Sequence, residues 1–93
     1  MELSEFQRTI EETYGELDRA RGVPGTVAWL CEELGELAQA ARKLGPDEQL
    51  LELSDVLAWV TTLASLLGLS IEDAAQRYAA GCPHCGHKPC TCH

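Results

Sequence analysis

Five carboxylates in two short clusters are the side chains of this sequence best suited to chemistry: Glu32, Glu33 and Glu36, then Glu52 and Asp55. Spacings of three and four place residues on one face of a helix, so each cluster aims its acids in one direction. Both clusters lie inside apolar stretches rather than on charged runs. Carboxylates crowded beside a core repel one another and lose hydration. A hard divalent cation relieves both penalties, and Mg²⁺, or Mn²⁺ in its place, takes oxygen ligands of this kind. Together the clusters predict a split magnesium site, which points to phosphate chemistry. The competing reading is a solvated acidic face, which would account for either cluster alone. A di-iron carboxylate bundle is disfavoured: it needs Glu-x-x-His motifs on its helices. Here His84, His87 and His93 all lie in the tail.

A second set of chemical residues crowds the C-terminus: Cys82, Cys85, Cys90 and Cys92. Cys-Pro-x-Cys-Gly at 82–86 is similar to the knuckle of zinc ribbons, and four thiolates can close a tetrahedral Zn²⁺ site. The second half is Cys-x-Cys and the loop is short, so a histidine replacing one cysteine, or a redox-labile tail without metal, stays open. Cys31 stands apart and reads as a small core residue.

The elements that must position these groups read as helices. Leu3, Phe6, Ile10, Tyr14 and Leu17 repeat at helical spacing and predict a first helix over Ser4 to Arg21, with Ser4 and Gln7 as a capping box. Gly22, Pro24 and Gly25 break the chain. Val27, Leu30, Leu34, Leu37 and Ala41 form the core stripe of a second helix over Thr26 to Leu44, with Trp29, Glu33 and Glu36 on the adjoining strip. Gly45-Pro46 stops it and starts a third helix that runs to Leu67. Its apolar surface, including Leu53, Val56, Leu57 and Val60, is wide enough to be covered from more than one side. Glu52, Asp55, Trp59 and Thr62 form a neighbouring strip. Ser70, with Asp73 at the capping-box position, opens a short fourth helix ending at Gly81.

The expected fold is therefore all-α: an antiparallel bundle of about four helices over 1–81, assembling through helix faces, with a short Cys-rich tail over 82–93. Glu36 and Glu52 are sixteen positions apart with the turn near their midpoint. An antiparallel hairpin would set them at similar heights. Trp29 and Trp59 sit about one turn from the acids, where they would either stack on a nucleobase or pack in a core or dimer face. Lys43 would either reach a phosphate or complement the C-terminal helix dipole.

The bulk properties narrow the partners. Net charge is -8, which disfavours a nucleic-acid polymer or an anionic membrane as partner. No apolar run is long enough to span a bilayer and no signal peptide opens the chain, so a soluble, cytoplasmic protein is expected. Ninety-three residues give one domain with a modest core, and the wide third-helix surface predicts a homodimer or homotetramer.

Glu-Glu-Leu-Gly-Glu-Leu at 32–37 and Glu-Leu-Ser-Asp-Val-Leu-Ala-Trp at 52–59 resemble the MazG-type nucleoside triphosphate pyrophosphohydrolases. Gly68 to Ala74 resembles that family's link into its last helix. The resemblance implies an oligomeric all-α enzyme that uses Mg²⁺ to cleave a (d)NTP between its α- and β-phosphates, giving a monophosphate and pyrophosphate. It implies Glu33, Glu36, Glu52 and Asp55 as metal-binding acids, and Glu32 as an extra leading acid that binds another ion or orients water. Ser65 departs from the Asn of many relatives. Chemistry then makes Glu32 or Glu33 the acceptor of the water's proton. The alternatives are a phosphoribosyl-ATP pyrophosphohydrolase-like enzyme, or a non-catalytic helical adaptor with a zinc-binding tail.

Overall fold

The computed structural model describes residues 1–93, and every regular element in it is a helix. α1 spans Leu3–Lys43, α2 spans Pro46–Leu66 and α3 spans Ile71–Gln76. The all-α class stands, but the helices number three rather than about four. The first two expected helices are the arms of α1, which bends at a single residue. Gly22 alone leaves helical geometry, with φ 80° and ψ 176°. That positive φ strains any residue with a β-carbon and suits glycine. Pro24 and Gly25, expected in the break, lie inside the second arm. Pro24 falls in its first turn, where a missing N–H costs nothing. Thr26, fully buried, donates its hydroxyl to the Gly22 carbonyl oxygen at 2.8 Å and closes the bend.

The tight turn at Leu44 and Gly45 reverses the chain, and Pro46 opens α2 with Asp47 and Glu48 in its first turn. Gln49 Nε2 donates to the Ala40 and Leu44 carbonyls at 3.2 and 3.0 Å, which ties the two helix ends together. From there α2 runs antiparallel along both arms. Trp59 meets Trp29 on the second arm, and Thr62 meets Asp18 on the first.

The far end is fastened by Gln7. Its Nε2 donates to Ser65 Oγ at 3.0 Å and to the Leu69 carbonyl at 2.9 Å, and its Oε1 accepts from the Ile71 N–H at 3.0 Å. The expected Ser4–Gln7 capping box is therefore not formed; α1 starts behind Glu2 with no side-chain cap. One side chain cannot both close its own helix end and reach the α2–α3 junction. The cap expected at Ser70 is present, its Oγ accepting from the Asp73 N–H at 3.1 Å. α3 stops at Gln76 rather than at Gly81, and turns follow.

Only 8 of 93 residues are buried, and Ile10, Ala40 and Val56 are the apolar ones. Val27, Leu34, Leu53, Leu57 and Val60, all expected in core stripes, remain exposed. A bent helix against one straight helix covers one side of each, so the chain carries more apolar face than it can bury. No helix is long and apolar enough to cross a membrane.

Candidate functional site

Glu33 and Glu36 on the second arm of α1 meet Glu52 on α2, with carboxylate oxygens all within 4.8 Å of one another. The hairpin turn lies near the midpoint between Glu36 and Glu52, so antiparallel pairing sets them level. Oε2 of Glu33 and Oε2 of Glu52 are buried without any hydrogen-bond partner. Burial pushes the Glu33 carboxyl above its ordinary range, and the charges of Glu36, Asp55 and Glu52 push it further. Burial likewise raises Glu52, followed by Glu36 and Asp55. Asp55 thus acts on both acids although it lies outside the group of three. No cation of the chain answers them: the one salt bridge joins Arg21 to Asp18 at 3.0 Å. Like charge, lost hydration and two orphaned oxygens are what a hard divalent cation satisfies, so the donor set fits one. Glu32 is exposed and outside the group.

A cleft of about 340 Å³ opens beside the acids, between the first arm of α1 and α2, lined by Tyr14, Asp18, Arg21, Asp55, Trp59 and Thr62 among others. Asp55 lines the cleft and acts by its charge on Glu33 and Glu52. Trp59 forms a flat wall; Trp29 stacks on it with centroids 6.0 Å apart and planes 9° from parallel. The Arg21 guanidinium sits 4.6 Å from the Trp59 ring centroid, a cation–π contact. Asp18, buried at the cleft wall, accepts from Arg21 Nη1 at 3.0 Å and from Thr62 Oγ1 at 3.1 Å. Lys43 lies exposed in the last turn of α1 without an acidic partner. Cys31, expected in the core, is exposed.

The four tail sulfurs, of Cys82, Cys85, Cys90 and Cys92, also lie within 4.8 Å of one another. Backbone N–H groups of Thr91 and His87 bring the Cys85 thiol down to about 5. Backbone donors from Cys85 and His84 lower Cys82 as well, whereas neighbouring sulfurs lift Cys92 to about 11. No histidine belongs to this group.

The family model of the MazG nucleotide pyrophosphohydrolase domain matches residues 22–84. A relative, the dATP/dGTP diphosphohydrolase of Cyanophage S-2L, is 38% identical over 72 residues, which is 77% of this chain and 65% of that protein. This chain belongs to the MazG nucleotide pyrophosphohydrolase domain family. It spans 65% of the length of the curated relative it matches. The MazG match begins at the Gly22 bend, so it holds the second arm and α2 with all five acids, and leaves the first arm outside.

That first arm supplies what the sequence did not reveal about this MazG chain. Tyr14, Asp18 and Arg21 form one wall of the cleft, and Gln7 fastens the arm to α2. The only signal was an Asp18–Arg21 pair at i,i+3 just before a glycine, too common on helices to stand out. Ser65 accepts the Gln7 hydrogen bond at 3.0 Å and is thus engaged in holding the arm.

Proposed function

We propose that this chain is a Mg²⁺- or Mn²⁺-dependent nucleotide pyrophosphohydrolase that cleaves a (d)NTP between the α- and β-phosphates to a monophosphate and pyrophosphate. The observation that carries this reading is the meeting of Glu33, Glu36 and Glu52, with two buried carboxylate oxygens left unpartnered. Family membership and the relative's printed activity support it. In this reading Glu33, Glu36, Glu52 and Asp55 hold the cation. Such an ion neutralises phosphate oxygens and acidifies water.

The chain's own groups do the rest. The proton acceptor is a carboxylate not fully engaged by the cation: Glu32, which is exposed and outside the group of three, or Glu33 where one of its oxygens is left free. Glu32 remains free to orient water at the rim. Trp59 is the proposed contact to the base: the Arg21 guanidinium now over its ring would give way to the base, with Trp29 remaining stacked on it as a brace. Asp55 joins base cleft to metal cluster, so one nucleotide can span both. Lys43, at the end of the arm that carries Glu36, is the proposed contact to the outer phosphates. The relative's named substrates, dATP and dGTP, are the first candidates here. The tail sulfurs take no part in this chemistry; thiolates suit zinc, not magnesium.

Assembly is part of the same proposal. Exposed Val27, Leu34, Leu53, Leu57 and Val60 leave apolar faces that a homodimer or homotetramer would cover. The test is a panel of NTPs and dNTPs with Mg²⁺ or Mn²⁺, resolving pyrophosphate from orthophosphate, with light scattering on the same sample. Pyrophosphate release that disappears in Glu36→Gln is the expected result. No turnover of any nucleotide by a folded, metal-loaded chain would overturn the reading.

A further inference from the structure

The tail is built without help from the helices. No hydrogen bond or salt bridge joins residues 82–93 to residues 1–76. Its own bonds are dense for twelve residues. The Cys82 N–H donates to the His87 carbonyl at 3.1 Å, and the Gly86 N–H to the Cys82 carbonyl at 2.7 Å, so the chain folds back on itself. Gly86, at φ 74°, supplies the left-handed step in that turn. Gly81 opens the loop at φ 109°, and a β-carbon there would meet the His87 carbonyl oxygen at 2.9 Å. Two glycines thus let the loop close tightly enough to bring distant cysteines together.

What the loop brings together is four sulfurs at spacings that suit a tetrahedral ion. With Zn–S bonds of about 2.3 Å, tetrahedral geometry sets sulfur–sulfur edges at about 3.8 Å. Cys82 and Cys92 sulfurs are 3.6 Å apart, and those of Cys85 and Cys90 are 3.9 Å apart. A disulfide needs about 2.05 Å, so neither pair is bonded. All four sulfurs remain within 4.8 Å of one another, which two separate disulfides would not require. Backbone amides face the sulfurs: Thr91 N–H to Cys85 Sγ at 3.4 Å, and Cys92 N–H to Cys90 Sγ at 3.3 Å. Such donors stabilise charge on a ligating thiolate. His87 is engaged elsewhere, its Nδ1 lying 2.7 Å from Thr91 Oγ1.

We infer that Cys82, Cys85, Cys90 and Cys92 form a closed structural zinc site of four thiolates, with no histidine ligand. The inference is independent of the hydrolase reading. Four sulfurs fill a tetrahedral ion and leave no position for water, so the site orders the tail and performs no chemistry. Its ligands all come from one twelve-residue loop, so metal binding and folding of that loop are one event.

The test uses the full chain purified under reducing conditions. Elemental analysis should give about one tightly held zinc per chain, unchanged in Glu36→Gln, which separates this ion from any at the acids. Replacing zinc by cobalt(II) should give the sulfur-to-metal charge-transfer and intense visible bands of a four-sulfur tetrahedral site. His84→Asn and His87→Asn should leave that spectrum unchanged, and Cys85→Ser should weaken or abolish it. The spectrum of the unsubstituted chain reads the donor set by itself, so the test survives if Cys85→Ser folds poorly. Absence of zinc with four freely titratable thiols, two disulfides under reducing conditions, or a cobalt spectrum altered by His87→Asn would each overturn the inference.

Discussion

The acid cluster and the cysteine cluster are both compact, yet they are assembled in opposite ways. Glu36 and Glu52 come from different helices and meet only because the hairpin closes. The four cysteines come from one loop and meet through local turns and two left-handed glycines. The first site is held together against its own repulsion, since burial and neighbouring acids raise both Glu33 and Glu52. The second lowers two of its thiols through backbone donors. A site assembled by long-range packing can be strained because the packing energy of the helices absorbs the cost. A local loop has no such reserve and depends on its ligand.

This contrast is open to tests. The largest effect is expected from Glu36→Gln and Asp55→Asn. Loss of supporting groups around a metal typically costs about 10–100-fold, so loss of a direct ligand should cost at least about 100-fold in turnover. Zinc content of the tail should not change. Normal metal-dependent turnover in both variants would show that the acids do not form the site.

Next comes metal itself. Mg²⁺ or Mn²⁺ at a hundred times its dissociation constant should stabilise the folded chain by about 2.7 kcal/mol, since it binds only where the helices have met. The rise in melting temperature should shrink in Glu36→Gln and persist in Cys85→Ser. Equal rises in both variants would place the binding elsewhere.

Gln7→Ala sharpens the same point. It removes three hydrogen bonds at the α2–α3 junction and leaves the Ile71 N–H without its side-chain acceptor. A destabilisation of about 1–3 kcal/mol is expected in chemical denaturation. The tail's cobalt spectrum should be untouched.

A smaller effect is expected from pH. Glu33 and Glu52 carry folded values above 4.5, so the folded metal-free chain holds more protons than the unfolded chain as pH rises past that value. Stability must then fall with rising pH through that window. Glu52→Gln removes part of this slope, so the unsubstituted chain should lose stability relative to Glu52→Gln as pH climbs from about 4 to neutrality, and saturating Mg²⁺ should suppress the difference. A parallel pH dependence of the two melting curves would refute it. The least effect is expected from deleting residues 82–93: far-UV helicity and melting should move little, since no hydrogen bond ties that segment to the helices.

The sequence by itself determined the all-α class and the limits of α2 to within a residue, though not the number of helices. The Gly22 bend, the Gly45-Pro46 turn and the Ser70 cap are local backbone requirements, readable from residue type. It also determined the strip of Glu52, Asp55, Trp59 and Thr62, because helical period fixes which residues share a face. The four cysteines were legible as a set, since their closeness in the chain leaves few ways to avoid closeness in space. Tertiary structure alone decided the rest. Pro24 and Gly25 read as a break, yet one glycine suffices to bend α1 and the arms stay continuous. Gln7 read as a local cap and instead reaches residues more than fifty positions away. Apolar stripes over Val27 and Leu34 read as core, but one bent helix on one straight helix leaves them uncovered. Asp18 gave no sign of reaching Thr62, because side-chain partners across a bend depend on its angle, which no periodicity encodes. Local energies fix where a chain turns; which side chains then meet is set by packing over the whole chain.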